Sequence, residues 1–343
     1  MIPRRALMGR ALLAGAATLV ASPAAAQKYY PMGTKQQALS FKGTGGVTLN
    51  GTLLLPTISE IRKVPGVVLH GGSGPTDRDG NNSLVPVRID LLKLIAELLA
   101  DNGIASLRYD KRGVGASGQQ TPADLDGQER FFAWDNYVGD LLAAHAELLR
   151  HDEIKAYATA LLGHSEGGLL SLAAAAAMGK RAPYAVVLAG TPGRPLIDIV
   201  REQIARGAPP LGAEAERVMA ATLATGHVPA DTAEELRLIF PAYAGPFFRG
   251  ALTFDPAQAV FAFDSACLLL HGGADAQVVP MAEIQPLVDA LAKRNKPGEV
   301  LVAAAVSHNL KPMTSASDPG FAGPIAPEIA GKLSSWLRHV LGA

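Results

Sequence analysis

Ser165 lies in Gly163-His164-Ser165-Glu166-Gly167-Gly168, between the apolar run Ala158-Thr159-Ala160-Leu161-Leu162 and a small-residue segment at 169–178. Strand, G-x-S-x-G, then helix is the order of a nucleophile elbow. There a serine hydroxyl stands on a sharp turn, placed to attack a carbonyl carbon. Residues two before and two after the serine can carry almost no side chain, because the backbone of the turn is strained and tightly packed. A chain with 36 glycines also spells this pattern by chance. The flanking strand and helix distinguish it from a glycine-rich turn.

A serine hydroxyl is a poor nucleophile at neutral pH and needs a base within hydrogen-bond reach. Behind such an elbow the acid comes next in the chain and the histidine last. Of the eight histidines, His70, His145, His151 and His164 precede Ser165, and a true elbow faces His164 away. His227 falls in a helical stretch, His271 ends an apolar strand, and His339 sits at the exposed end of the last helix. His308, in Val306-Ser307-His308-Asn309 just past the final strand, is the expected base. Asp275 follows Leu268-Leu269-Leu270-His271-Gly272-Gly273-Ala274 and also leaves a strand at its carboxyl end. Its work would be to accept the imidazole N–H, fix the tautomer and stabilise the imidazolium. The turn at 189–193, the other common place for the acid, holds no carboxylate. The plainer readings are a surface histidine and a turn aspartate.

Acyl transfer also needs donors for the developing oxyanion. His70-Gly71-Gly72-Ser73-Gly74-Pro75 follows an apolar strand well before the elbow, where one backbone N–H is expected. Ser73 or Gly72 supplies it, with the N–H of Glu166 as the second donor. A glycine turn without a ligand is the alternative.

The elements that would position these groups follow from periodicity. Residues 39–42 and 47–55 read as two strands joined by Gly43-Thr44-Gly45-Gly46, a hairpin. The stretch 64–69 lacks polar side chains, as a strand buried on both faces does. A helix at 89–99, a strand at 104–108, a helix at 134–149, the elbow, and a strand at 184–188 continue the alternation. That rhythm implies a mostly parallel central sheet flanked by helices. From 194 to 263 it breaks into helical patterns at 196–204, 213–223 and 233–239. It resumes with strands at 266–270 and 299–304 and helices at 284–292 and 327–341. Inserted after the strand that follows the elbow, 194–263 is expected to form a helical cap over the carboxyl ends of the strands, where ligands bind in open α/β sheets. A helical layer packed elsewhere is the other possibility. The aromatics Phe240, Tyr243, Phe247 and Phe248 would then either line an acyl pocket or pack that segment onto the body.

Three segments together carry a family resemblance: 72–81 (GSGPTDRDGN), 108–117 (RYDKRGVGAS) and the elbow at 163–168. From about Leu39 to the C-terminus the chain resembles the α/β-hydrolase superfamily, and more closely EstD-type carboxylesterases and serine aminopeptidase-like hydrolases. The resemblance implies the α/β-hydrolase fold, with nucleophile, acid and base at Ser165, Asp275 and His308. It also implies hydrolysis of small carboxylic esters without a cofactor. The extra glycine in His70-Gly71-Gly72-Ser73 departs from the pattern and leaves the oxyanion donor uncertain by one residue. Asp77, Arg78 and Asp79 would hold that loop by ion pairing.

Other features bound the reading. Arg4, Arg5 and Arg10, a short apolar core at 11–21 and Ala24-Ala25-Ala26 read as a cleavable signal peptide at 1–26, implying a periplasmic or secreted protein. Arg4-Arg5-Ala6-Leu7-Met8 loosely matches a twin-arginine signal. The apolar core is well short of the about 20 residues that span a bilayer. Beyond the signal peptide the chain divides into a hydrolase core at 27–193 and 264–343 with the insertion at 194–263. Lys plus Arg and Asp plus Glu balance at 31 each, so no net field draws nucleic acid or anionic lipid. The single cysteine, Cys267, cannot form an internal disulfide and reads as a small buried residue. Gly113-Val114-Gly115-Ala116-Ser117-Gly118 spells a dinucleotide fingerprint, but loop residues come after it where a helix must open. No cysteine pair, H-E-x-x-H or P-loop supports a metal or nucleotide. An esterase is therefore expected first. A proline-iminopeptidase-like aminopeptidase comes second, with Glu214, Glu216, Glu234 or Glu235 needed to hold a substrate amine, and a non-catalytic binding protein third.

Overall fold

The computed structural model describes residues 33–315 and 317–343; the expected signal peptide lies outside them. The chain opens with the antiparallel hairpin β1 (Thr34–Lys42) and β2 (Thr48–Pro56), turned by Gly45 and Gly46 at φ +72° and +77°. Next come β3 (Val64–His70), α1 (Leu91–Asp101), β4 (Ala105–Tyr109), α2 (Leu125–Phe131), α3 (Trp134–Leu148) and β5 (Ile154–His164). After the elbow come α4 (Glu166–Met178) and β6 (Ala185–Ala189), then α5 (Leu196–Gly207), α6 (Gly212–Thr225), α7 (Gly245–Ala251) and α8 (Pro256–Ala262). β7 (Ala266–Gly272), α9 (Pro280–Ala292), β8 (Gly298–Ala303) and α10 (Pro327–Leu341) complete the chain.

The eight strands form one sheet in the order β1-β2-β4-β3-β5-β6-β7-β8. β1, β2 and β4 pair antiparallel, and every pairing from β4 to β8 is parallel. Alternate side chains of the parallel strands feed opposite faces. Leu69, Leu162 and Leu268 pack with Ile95 of α1 and Leu333 of α10, while Val68, Leu161 and Leu269 pack with Leu148 of α3, Leu172 of α4 and Leu287 of α9. Two buried faces explain why these strands read as continuous apolar runs. Parallel pairing also puts the carboxyl ends of β3, β5, β7 and β8 on one edge, which brings Ser73, Ser165, Asp275 and His308 to the same end of the sheet.

Between β6 and β7, the described residues of 194–263 hold helices and no strand. Val200, Met219, Phe240 and Leu252 give this segment an apolar core of its own, and Ala251 packs with Trp134, Leu169 and Leu170 of α3 and α4. The helix expected at 233–239 is a single 3-10 turn, Glu234–Leu236. α2, α7 and α8 are seven residues each, too short for periodicity to reveal. Local capping makes two of them: Asp124 accepts from Gly127 N at 2.7 Å and Asp255 from Gln258 N at 2.9 Å.

Candidate active site

Ser165 follows β5 and precedes the first turn of α4 with φ 56° and ψ −126°, a strained conformation for a side chain with a β-carbon. Its N–H donates to Ala189 O at 2.8 Å, which fixes the turn against β6. The elbow glycines are demanded by packing: a β-carbon on Gly163 would strike the Gly167 carbonyl. One on Gly167 would come within 2.6 Å of His70 O and Gly71 O. The elbow is thus pressed against the loop after β3. The other non-glycine residues at positive φ among those described are Asp90 and Leu310, each beside a residue that lines the same cavity. Strain is concentrated around this one place.

The cavity has a volume of about 210 Å³, and Ser165 and His308 both line it. His308 Nδ1 donates to Asp275 Oδ2 at 2.6 Å. The other oxygen, Oδ1, accepts from Gln277 N at 2.8 Å and Val278 N at 2.9 Å. Burial alone would lift the Asp275 carboxyl. The His308 hydrogen bond and charge, with the two amides, outweigh it and hold the group below its ordinary range. With Nδ1 committed to Asp275, Nε2 is the nitrogen left for the cavity. The Ser165 hydroxyl forms no hydrogen bond among the described residues; it meets His308 across the shared space.

The opposite wall is the loop after β3. Gly71, Gly72 and Ser73 line the cavity, and a β-carbon on Gly72 would sit 3.1 Å from Ser165 Cβ. A methyl there would crowd the serine, and glycine lets the backbone come this close to it. Glu166 opens α4, so its N–H is one of the free donors of a helix N-terminus. Half-buried ion pairs hold the loop: Arg78 grips Asp110 through Nε at 3.1 Å and Nη2 at 2.6 Å, and Arg108 Nε meets Asp79 at 3.0 Å. Asp77 bonds the Asp79 and Asn81 amides at 2.9 Å each instead of a cation.

Some roles were not legible. His164 does not face away: it lines the cavity, its ring lies 4.7 Å from that of His308, and its Nε2 donates to His308 O at 2.9 Å. A carbonyl can only accept, so Nε2 carries the proton. Burial, with the nearby His308, pushes its pKa down to about 3 and keeps the ring neutral. Lys311 is buried and bonds Ile89 O and Phe321 O at 2.5 and 2.8 Å, tying together two loops that wall the cavity. Nothing in the sequence marks Lys311 as other than a loop residue, and His164, the last residue of β5, is marked only by adjoining the serine.

None of the lining residues belongs to 194–263. The aromatics weighed as an acyl pocket pack instead: Phe240 against Phe248, Phe247 against Trp134 and Tyr137, and Tyr243 against Phe132. The cavity wall does not call on this segment as a roof. The Gly113–Gly118 decoy runs into a 3-10 turn, Gly115–Gln120, and its Ala116 N–H bonds Asp110 at 2.9 Å. No α-helix N-terminus is there to receive a pyrophosphate.

Comparison with known proteins places this geometry. The model of the alpha/beta hydrolase family matches residues 67–320, well over half of the chain. No curated protein matches the sequence. Among solved structures, the α/β hydrolase GrgF from a Penicillium species superposes with a TM-score of 0.55 at 18% identity, covering 90% of this chain and 100% of that one. An esterase from Pyrococcus furiosus gives 0.55 at 14% identity, covering 90% and 91%. Dipeptidyl peptidase 4 from Porphyromonas gingivalis gives 0.54 at 15% identity, covering 89% of this chain and 35% of that larger one. At these identities the likeness is one of fold.

Proposed function

Because the chain belongs to the alpha/beta hydrolase family, we propose that it hydrolyses small, uncharged carboxylic esters through an acyl-enzyme on Ser165. His308 Nε2 takes the hydroxyl proton as Oγ attacks the ester carbonyl. The N–H groups of Ser73 or Gly72 and of Glu166 hold the oxyanion. The alcohol leaves with the proton from His308, and water then releases the acid by the same steps in reverse. Asp275 keeps the imidazole in the tautomer that can do this.

The observation that carries the ester reading is the lining of the cavity. No carboxylate, lysine or arginine side chain lines it, and Val85, Ile89, Leu91, Leu92 and Phe321 supply its apolar part. A substrate amine or carboxylate would find no oppositely charged partner there. The carboxylates that an aminopeptidase reading requires lie elsewhere. Glu214 is paired with Arg217 and Glu216 with Arg201, Glu234 and Glu235 are exposed, and none lines the cavity. A volume of about 210 Å³ suits a short acyl group. We also read 1–26 as an export signal, so that the mature enzyme works in the periplasm or outside the cell. Among the described residues no helix is long and apolar enough to cross a membrane.

The test is turnover of p-nitrophenyl acetate and butyrate against proline p-nitroanilide, with fluorophosphonate labelling. Wild type is expected to take the short esters, to fall off at octanoate, and to be labelled. Ser165→Ala loses at least about 10⁴-fold in kcat/KM and all labelling. Folded wild type that resists the probe sinks the hydrolase reading; preference for the anilide sinks the ester reading alone.

A further inference from the structure

Lys111 is buried, with 4% of its surface exposed, in the loop after β4. Its Nζ donates to Gly72 O at 2.6 Å, the one hydrogen bond it makes among the described residues. No carboxylate pairs with it within salt-bridge distance. Burial pulls its pKa below the ordinary lysine value, and only the field of Glu166 opposes this. An ammonium in such a position is costly, and a methionine of similar length would be cheaper to bury. Stability therefore does not account for it.

The peptide it grips does. The described residues contain no cis peptide bond, so the Gly72 carbonyl and the Ser73 N–H point in opposite directions. With the carbonyl drawn to Lys111, the Ser73 N–H is turned the other way. It has no acceptor among the described residues, and Gly72 and Ser73 line the cavity with Ser165. A cation at the carbonyl end also polarises the peptide and strengthens the N–H as a donor.

We propose that Lys111 is a positioning residue for the oxyanion site, holding the Gly72–Ser73 peptide so that Ser73, and not Gly72, gives the N–H on that side. It acts through the peptide and touches no substrate. The inference rests on the serine-hydrolase reading above and resolves which residue of the loop is the donor.

Lys111→Met and Lys111→Arg test it, with p-nitrophenyl butyrate turnover, fluorophosphonate labelling, thermal melting, and inhibition by two probes. Butaneboronic acid becomes tetrahedral on the serine, whereas N-methylbutyramide binds without doing so. Losing an oxyanion donor outright costs about 10²- to 10³-fold in kcat. Misaiming one is expected to cost about 10- to 100-fold. Lys111→Met should lose that much in kcat and in boronate affinity, keep its amide affinity within twofold, and melt no lower than wild type. Lys111→Arg, which keeps a charged donor, should recover part of the loss. A folded Lys111→Met with wild-type boronate affinity overturns the proposal. So does equal loss of affinity for both probes, or failure of both variants to fold, either of which makes Lys111 a structural clamp. If wild type itself is neither active nor labelled, the hydrolase reading has failed instead.

Discussion

The rim of the cavity and the 194–263 segment are held together by opposite means. At the rim, polar and charged groups are buried or half-buried and committed: Arg78 to Asp110, Lys111 to Gly72, Lys311 to Ile89 and Phe321, and the neutral His164 to His308. In 194–263 the charges pair on the surface, as in Arg201 with Glu216 and Arg217 with Glu214 and Asp231, around a small apolar core. Exposed pairs contribute little, because water screens them and long side chains lose entropy. Buried polar contacts cost stability to assemble, yet they fix backbone groups in one geometry. The fold spends polar burial where a peptide or ring must be aimed, and uses apolar packing where it need only be held.

Acid should separate the two regions most sharply. Burial, as the main cause, pushes His70 and His164 down to about 3 and His145 and His271 to about 4. Three of these lie at the ends of strands beneath the cavity, and His145 lies on α3. A folded pKa below the unfolded one gives stability that is complete above the ordinary 6.5 and lost as pH falls through the folded value. Four such protons amount to about 5 kcal/mol per pH unit, comparable to the whole stability of many domains. Circular dichroism should show cooperative unfolding with a midpoint above about pH 4. A native spectrum at pH 3 would refute the buried neutral state of these rings.

Asp110→Ala comes next. It strands the partly buried Arg78 and removes the acceptor for the Arg78 and Ala116 amides. Breaking such a pair costs about 3 kcal/mol, or roughly 10 °C in Tm. Turnover of p-nitrophenyl butyrate, the activity proposed above, should drop with it, since the same loop carries Gly72 and Ser73; a variant that melts with wild type breaks the comparison at the rim. Arg201→Ala is the mildest. Tm should stay within about 2 °C and kcat/KM should not change. A large loss of activity there would show that 194–263 takes part in the site after all.

The convergence of Ser165, Asp275 and His308 was readable because parallel strands put every carboxyl end on one edge, so chain order and strand ends suffice to locate them. The elbow glycines were readable for a steric reason, since a β-carbon at Gly163 or Gly167 meets backbone. Lys111 and Lys311 were not. A lysine in a loop is ordinarily solvated, whereas here both are buried against carbonyls distant in the chain, Gly72 for Lys111 and Ile89 for Lys311. His164 was misjudged because the direction of a strand's last residue depends on the twist of the turn beyond it. Within 194–263, α5 and α6 showed in their spacing. Their seat on α3 and α4 did not, since an apolar stripe does not name the surface it packs on.

Cys267, the chain's single cysteine, is fully buried on β7, with β6 and β8 paired on either side. Burial pushes its thiol up to about 12, so at neutral pH almost none of it is the reactive thiolate. A maleimide or disulfide reagent can therefore reach it only when the centre of the sheet opens. The protein thus carries an internal clock for its own unfolding, readable one sulfur at a time without any engineered label.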